Sequence, residues 1–354
     1  MNVLRRAAMP RAAVTTHLDL AQQSVHRLIE QLIERGLLVA GEPVRNGRGQ
    51  PSPQIDLARD AAFAVGVYVN ADCAVISLAD LGCNVREELL IRTPQSNRVS
   101  SLSSLNDALS RMLSRNGVPR ERVVGLGFAV PGFFIGDGHQ LNAVLPLRDW
   151  SLVDLQPMLE ESFQLPVWIQ NSHTTAAIGE ALSGVGRWAR NFAYLAFNYG
   201  FSCGIVINGS PYFGSHGNAG DVAMHANHEL RIRPALAFLI EELAKNGTAV
   251  DSLEDLRQRF DPEWPGVEEW ISGTLPALDR IVNGVAGLLD PEAIVFGGQI
   301  ARPLAQTLIE RVSFWDENSR YNRPPPRPKL VLSETNGDAS ALGAALIPLR
   351  HHFF

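Results

Sequence analysis

The feature that most constrains the fold is an order of predicted strands and helices that occurs twice along the chain. Between residues 61 and 183, three segments rich in β-forming residues precede the order helix, strand, helix, strand, helix. Turn-forming residues at 70–72 and 81–82 separate the first three segments. A comparable series begins again at Phe192, so the chain predicts two similar halves.

The apolar patterns place each element. Strands are predicted at 62–70, 73–80, 84–92, Val123–Val130, Val167–Gln170, Phe192–Asn198, Gly204–Ile207, Ser210–Phe213, Ala293–Phe296 and Leu330–Leu332. Helices are predicted at about Val99–Arg115, Leu152–Phe163, Thr174–Ser183, Pro234–Lys245, Leu253–Arg259, Val267–Leu289 and Asp338–Leu349, the last packing back on the first half. This is the order of a ribonuclease-H-like or actin-like α/β lobe. Two such lobes enclose a cleft, where ligands usually bind.

An amphipathic segment, Leu20–Leu38, stands before the repeated pattern. Its apolar residues recur at the spacing of one buried helix face, namely Val25, Leu28, Ile29, Leu32 and Ile33. The first turn of the opposite face carries amides, an imidazole and a guanidinium, which can bond to base edges and phosphates. The same periodicity is also that of an ordinary amphipathic surface helix.

The flanks of this segment favour a DNA-binding domain. A short helix is predicted at Pro10–Leu18, with an earlier one at Asn2–Ala8, and a turn separates Pro10–Leu18 from the long helix, as in a helix-turn-helix. Gly36 closes the long helix, and a loop rich in glycine and proline follows, as in a basic wing. The predicted contacts to double-stranded operator DNA are Gln22, Gln23, Ser24, His26 and Arg27 on the helix, with Arg45 and Arg48 on the wing.

Charge is divided unevenly along the chain. The formal net charge is −6, yet the first 57 residues hold seven Lys/Arg against five acids, so this end carries +2 and the remainder −8. A basic end on an acidic body fits a DNA-reading module attached to a sensor. No apolar run approaches the roughly 20 residues of a membrane span, and no signal peptide is recognised, so we expect a cytoplasmic protein with no membrane partner. The three dispersed cysteines predict buried or half-buried thiols.

Seven motifs in order carry a family resemblance. They are GRGQPSPQIDL, AFAVGVYV, GLGFAVPG, LPVWIQNSHTTAAIGEAL, NYGFSCGIVINGSPYFGSHGNAGDV, LLDPEAIVFGGQI and GDASALGAAL. Together they resemble the ROK family of repressors and sugar kinases across nearly the whole chain. The resemblance implies a two-lobed, actin-like, sugar-binding body, and the N-terminal domain places the chain with the regulators. The predicted domains are a winged helix-turn-helix at 1–57, a first lobe at 58–185 plus 338–354, and a second lobe at 186–337.

The chain departs from the family where phosphoryl transfer would occur. Tyr68 stands where kinases of the family have an aspartate, and the glycines of the following turn are missing. The family's Glu-Asn-Asp triplet, whose aspartate is the general base, corresponds here to Gln170-Asn171-Ser172. A serine hydroxyl without a partner cannot act as a base near neutral pH. We therefore expect neither catalytic residues nor a cofactor.

The ligand site also differs. The family's Gly-Glu-Ile-Gly-His corresponds to residues 220–224, Gly-Asp-Val-Ala-Met, and the cysteine-rich zinc loop that usually follows is absent. His225 and His228 form a possible substitute for metal ligands, although we expect no metal. A polyol needs short donors and acceptors that converge in a cleft. The candidate effector contacts are Asn171, Ser172, His173, Asp221 and His225.

These observations favour a transcriptional regulator, most simply a repressor, that binds operator DNA as a homodimer or homotetramer. A sugar or sugar derivative in the cleft would control it. Two alternatives stay open at this point: an active sugar kinase with an N-terminal extension, and a regulator whose body binds a protein partner instead of a metabolite.

Overall fold

The N-terminal domain is small and mixed in structure. The computed structural model describes residues 4, 7–18, 20–44, 52–93, 95–136, 140–222, 234–315, 321 and 323–354. The domain's elements are β1 (Met9–Pro10), α1 (Arg11–His17), α2 (Gln22–Glu34), β2 (Leu38–Val44) and β3 (Ser52–Leu57). The strands form one antiparallel sheet in the order β1-β3-β2, with β2 and β3 as a ribbon after α2. Val14, Val25, Ile29 and Ile55 form its core. Two helices followed by an antiparallel ribbon is the element order that the sequence predicts for this domain.

The N-terminal domain agrees only in part with the predicted elements. Leu28, predicted to lie on the buried face of α2, is 45% exposed. At 3.6 residues per turn it lies well to one side of the stripe defined by Val25 and Ile29, beyond the reach of the small core. The predicted Asn2–Ala8 helix falls largely outside the described residues, and residues 7 and 8 are not helical. Arg45 and Arg48 also lie outside the described residues.

The first lobe is built on a five-stranded sheet in the order β10-β7-β4-β5-β6. Its strands and helices are β4 (Phe63–Val69), β5 (Ala74–Asp80), β6 (Val85–Ile91), α3 (Arg98–Arg115), β7 (Val123–Val130), β8 (Gly132–Ile135), β9 (Gln140–Ala143), α4 (Leu155–Phe163), β10 (Val167–Asn171) and α5 (Ser172–Ser183). Strands β4, β7 and β10 are parallel, whereas β5 and β6 complete an antiparallel meander. One face packs on α3 and α4 and holds the lobe's main apolar core.

The second lobe repeats the plan with the sheet order β13-β12-β11-β14-β15. Its elements are β11 (Phe192–Phe197), β12 (Phe201–Ile207), β13 (Ser210–Pro211), α6 (Leu236–Lys245), α7 (Leu253–Arg259), α8 (Val267–Leu289), β14 (Ala293–Gly298), α9 (Arg302–Arg311) and β15 (Lys329–Leu332). The last helix, α10 (Ala339–Phe353), returns to the first sheet, as predicted. A Cβ at Gly66 or Gly127 would overlap the α10 backbone, so these glycines let strand and helix touch. The α/β, two-lobed architecture is confirmed.

Several local expectations were incomplete. The β8–β9 hairpin and helix α9 were not predicted, and α5 begins two residues earlier than expected. Cys73 and Cys203 are buried and Cys83 is half-buried, as predicted. None of the described helices is both long and apolar enough to cross a bilayer.

Candidate functional site

The junction of β10 and α5 holds three of the predicted effector contacts. Asn171 is the residue before the helix, and its side-chain oxygen accepts a 3.4 Å hydrogen bond from the backbone N–H of His173. Its side-chain nitrogen donates to the carbonyl of Gly132, at the start of β8. Asn171 therefore caps α5 and also connects it to the β8–β9 hairpin.

The His173 side chain joins the two lobes. It is 2% exposed, and its Nε2 lies 3.2 Å from the carbonyl oxygen of Ala219 in the second lobe. Burial lowers the pKa of His173 to about 4, only partly opposed by the Ala219 bond, so the ring is neutral near pH 7. A carbonyl can only accept, so Nε2 carries the proton and Nδ1 is left as an acceptor. A polar ligand that reaches this ring would meet a neutral acceptor.

A second contact closes the same side of the cleft. The Asn218 side chain accepts a 2.7 Å hydrogen bond from the backbone N–H of Phe134 and donates a 2.8 Å bond to its carbonyl. Gly217 packs against the Phe134 ring, where a Cβ would come within 3.0 Å of it. The loop of residues 214–222 is thus held against the first-lobe hairpin. Sequence reasoning missed Asn218, because its partner lies 84 residues away on an unpredicted hairpin.

The predicted effector residues are partly brought together. Asn171, Ser172 and His173 are adjacent and each is at most 2% exposed. The carbonyl of Ser172 accepts bonds from the Thr175 and Ser340 hydroxyls, at 2.9 and 3.2 Å. Asp221 is half-buried on the loop that reaches His173 through Ala219, and its backbone N–H donates to Asn218. His225 and His228 lie outside the described residues.

Tyr68 lies near the end of β4, which β7 separates from β10; both Tyr68 and Gln170 pair with Ala129 of β7. The Tyr68 side chain is 1% exposed and packs with Val75, Ala129, Ala341 and Ala344. Its hydroxyl has no hydrogen-bond partner within the described residues, and burial raises its pKa. An aromatic side chain therefore occupies the position that the resemblance assigns to an aspartate.

Beside Tyr68, two carboxylates join the lobes. Asp72 accepts a 2.6 Å hydrogen bond from the backbone N–H of Leu253, at the start of α7. Asp338 caps α10 by accepting a 2.9 Å bond from the Ala341 N–H. It also accepts a 2.9 Å bond from the side chain of Gln299, the residue that follows β14. The Asp72–Leu253 and Asp338–Gln299 bonds run from the first lobe to the second. They join the two lobes beside Tyr68.

Next to these contacts lies a cavity of about 500 Å³ in the second lobe. Its lining includes Arg257, Gly298, Arg302, Thr335 and Gly337. The Gly298 N–H donates a 2.8 Å bond to the Tyr194 hydroxyl, which fixes the glycine pair 297–298 against β11. In the described part of the chain, no group of three or more His, Cys, Asp or Glu side chains is arranged to hold a metal ion.

The other candidate surface is the outer face of α2. Gln22, Gln23, Ser24 and Arg27 are exposed and His26 is half-buried. Glu30, the first acidic residue of the helix, forms a 2.5 Å ion pair with Arg11 of α1. The exposed first two turns thus present polar and basic groups, while the nearest acidic residue on α2 is neutralised within the domain.

Comparison with known proteins identifies the family. The sequence model of the ROK family matches residues 64–229. A glucokinase of Halalkalibacterium halodurans is 35% identical over 275 residues, which cover 68% of this chain and 81% of the glucokinase. The chain belongs to the ROK family. The recognition made from the seven motifs is therefore confirmed.

Proteins with regulatory names also match. A xylose repressor of Bacillus spizizenii is 22% identical over 220 residues, or 62% of this chain and 57% of the repressor, so the match spans little more than half of that relative. Among solved structures, a ROK family transcriptional regulator described as a homolog of the Escherichia coli MLC protein has a TM-score of 0.70 at 20% identity. The structural match covers 96% of this chain and 91% of the regulator's chain. At that identity the likeness establishes the fold.

Proposed function

We propose that this ROK family chain is a DNA-binding transcriptional repressor controlled by a small carbohydrate-like effector in the cleft between its lobes. The observation that carries the proposal is the exposed first two turns of α2, which present Gln22, Gln23, Ser24 and Arg27 from a winged helix-turn-helix domain. Such a helix enters the major groove with its N-terminal residues at the base edges.

Two kinds of relative support this assignment. The xylose repressor carries a function of the proposed kind in its name, and the structural neighbour that covers both the N-terminal domain and the body is described as a transcriptional regulator. By analogy the effector is a sugar or sugar derivative, bound near Asn171, Ser172, His173 and Asp221. Short hydroxyl, amide and carboxylate groups suit a polyol.

We also propose that the body does not phosphorylate its ligand. Phosphoryl transfer requires a group that positions the phosphates and a base near the attacking hydroxyl. Tyr68 fills the first position with a buried ring, and Ser172 occupies the second. The Asp72–Leu253 and Asp338–Gln299 bonds further join the two lobes beside Tyr68.

DNA recognition is expected to involve two copies of the chain. A homodimer or homotetramer would present two α2 helices to half-sites separated by one helical turn, roughly 34 Å, or a multiple of it. Gln22, Gln23 and Arg27 would meet base edges or phosphates, and the wing residues Arg45 and Arg48 would reach the backbone or the minor groove.

Selection of binding sites from random double-stranded DNA tests the proposal. The wild-type chain is expected to enrich a sequence with two related half-sites, whereas Gln23→Ala and Arg27→Ala lose the enrichment. Gln31→Ala is the matched control, because Gln31 is an exposed glutamine two turns beyond Gln23 on the same helix. Absence of any enriched sequence with the wild-type chain would refute the regulatory proposal.

The competing function is sugar phosphorylation, which the 35% identity to a glucokinase favours. Incubation with ATP, Mg²⁺ and either glucose, xylose or N-acetylglucosamine distinguishes a sugar kinase from a regulator. We expect no sugar-dependent release of ADP. Turnover that disappears in Asn171→Ala would reverse the conclusion, because Asn171 lies at the proposed sugar site in both readings.

A further inference from the structure

The turn that ends α2 fixes Leu37 to the helix. The backbone N–H of Gly36 donates to Ile33 and that of Leu37 donates to Leu32, both at 2.9 Å. Gly36 has a φ of 70°, the left-handed conformation that glycine adopts readily. This pair of bonds is the Schellman motif, which makes Leu37 a rigid continuation of the helix end.

The Leu37 side chain does not complete the core of its own domain. It packs against an apolar cluster of the first lobe, which we call the α5–α10 cluster. Its buried members are Ala62, Ala64, Ala79, Leu81, Ile178, Leu342, Ala345, Leu346 and Leu349. The Leu37 carbonyl also accepts a 3.0 Å bond from the N–H of Ala58, the first residue after β3. Leu37 therefore connects the α2 helix to the body.

Helix α5 runs from the cleft to the same cluster. Its first turn contains Ser172 and His173, Ile178 is a buried member of the cluster, and Leu182 packs against it. Between these two ends, α5 crosses α10 so closely that a Cβ at Gly179 or Gly343 would overlap the other helix's backbone. Helices in backbone contact cannot slide independently, so a shift of the first turn is carried to the cluster.

We propose that Leu37 is the positioning residue through which the state of the cleft sets the orientation of the DNA-reading helix. The inference rests on the proposed function and specifies its regulation. A ligand that moves His173 relative to Ala219 displaces α5 and α10 together. The α5–α10 cluster then moves Leu37, and the Schellman motif passes that movement to α2 without a flexible joint.

A double-mutant cycle tests this route without knowledge of the effector. His173→Ala breaks the contact between α5 and the second lobe, and Leu37→Ala removes the side chain that docks on the body. The affinity for the DNA selected above is measured for the wild type, each single variant and the double variant. We expect His173→Ala to change Kd by about fivefold or more, and to change it less than about twofold when Leu37 is alanine.

Leu32→Ala is the matched control. Leu32 is a partly buried leucine that packs within the N-terminal domain, two residues before the end of α2. Its truncation weakens the domain without cutting the route, so the effect of His173→Ala persists in that background. The cycle is then repeated with Asn218→Ala in place of His173→Ala. Asn218 lies on the half-buried loop at the cleft, so this substitution keeps the buried His173 ring.

Amide hydrogen exchange gives a second readout that needs no DNA. His173→Ala is expected to speed exchange at residues 32–37 in the wild-type background and not in the Leu37→Ala background. Equal effects of the cleft substitutions in both backgrounds, including no effect in either, would overturn the inference. A wild-type chain that selects no DNA would refute the proposed function instead, while the exchange experiment still decides whether Leu37 carries the coupling.

Discussion

The carboxylate of Asp72 accepts a 2.6 Å hydrogen bond from the backbone N–H of Leu253, which lies 181 residues later and in the other lobe. The contact places a negative charge of the first lobe at the start of α7, where the unpaired N–H groups of a helix favour it. It lies on the turn between β4 and β5, whereas the predicted effector residues lie where β10 meets α5. The lobes are thus joined by two different sets of contacts: carboxylates beside Tyr68, and amide and imidazole contacts to the loop of residues 214–222.

Asp72→Ala is expected to lower the free energy of unfolding by about 1–3 kcal/mol, because the Leu253 N–H loses a charged acceptor. Urea denaturation measures the stability, and amide exchange at Leu253 measures the local opening, which should become faster. Asp261→Ala is the control, since the Asp261 side chain accepts a short-range 2.9 Å bond from the backbone N–H of Glu263 within one exposed loop. Unchanged exchange at Leu253 in Asp72→Ala would contradict the assigned contact.

The two buried tyrosines of the cleft make a matched pair. Tyr68 and Tyr194 are each 1% exposed, but the Tyr194 hydroxyl accepts a bond from Gly298 whereas that of Tyr68 has no partner within the described residues. Tyr68→Phe should therefore raise the free energy of unfolding by about 1 kcal/mol, and Tyr194→Phe should lower it by about 1 kcal/mol. Chemical denaturation of both variants provides the check. A loss of stability in Tyr68→Phe as large as that in Tyr194→Phe would show that the Tyr68 hydroxyl is bonded in solution.

His173 gives the chain a specific dependence of stability on pH. Burial lowers its pKa from 6.5 to about 4, so between these values the unfolded state binds a proton that the folded state does not. The stability contributed by neutral His173 is complete above pH 6.5 and is lost as the pH falls, by at most about 1.4 kcal/mol per pH unit. His173→Gln keeps a donor for Ala219 but does not titrate.

The measurement compares urea denaturation of wild type and His173→Gln at pH 7.5, 6 and 5. Relative to the variant, the wild type should lose about 2 kcal/mol of stability between pH 7.5 and pH 5. Subtracting the stability of the variant from that of the wild type removes the contribution of other titrating groups. One of these is the carboxyl of Asp338, whose pKa is raised by burial, so that its contribution to stability increases as the pH falls. Parallel curves for the two proteins would mean that the His173 ring is solvated in the folded state.

The elements predicted most accurately from the sequence are those whose ends are marked by local chemistry. Strand β7 and helices α7 and α8 have the predicted bounds. Strand β7 is a buried apolar run stopped by Pro131, and the Ser252 hydroxyl caps α7 by accepting a 3.0 Å bond from the Asp255 N–H. Helix α9 was missed because it is short and half of its ten residues are polar, so its buried residues, Leu304, Ala305 and Leu308, form only a short stripe.

The site was predictable only in part, for a physical reason. Asn171, Ser172 and His173 follow a buried strand, and a strand end at a lobe interface is a position that sequence can indicate. The partners that hold the cleft, such as Asn218 for Phe134 and Leu253 for Asp72, are set by how the lobes close on each other. No local pattern encodes a contact between residues 84 or 181 positions apart. The same holds for Leu37, which appears in the sequence only as an apolar residue just after the glycine that ends the helix.

The last prediction separates the roles of two residues on α2. Arg27 lies four residues after Gln23, so the two share a helix face, and both side chains are exposed. If Arg27 contacts a phosphate, Arg27→Ala weakens binding to all DNA sequences and reduces the slope of log affinity against log salt concentration by about 1. If Gln23 bonds to a base edge, Gln23→Ala leaves that slope unchanged and costs about 1–3 kcal/mol at one base pair of the selected site.

Fluorescence anisotropy titrations between 50 and about 200 mM salt, a range over which phosphate contacts strongly alter affinity, distinguish these effects. Each variant is titrated against the selected DNA and against single-base-pair substitutions of it. Gln31→Ala should change neither the slope nor the base preference, because Gln31 lies two turns further along α2 than Gln23. An unchanged salt slope in Arg27→Ala would remove Arg27 from the phosphate contacts. An unchanged base preference in Gln23→Ala would place base recognition elsewhere on the domain, with the wing as the next surface to test.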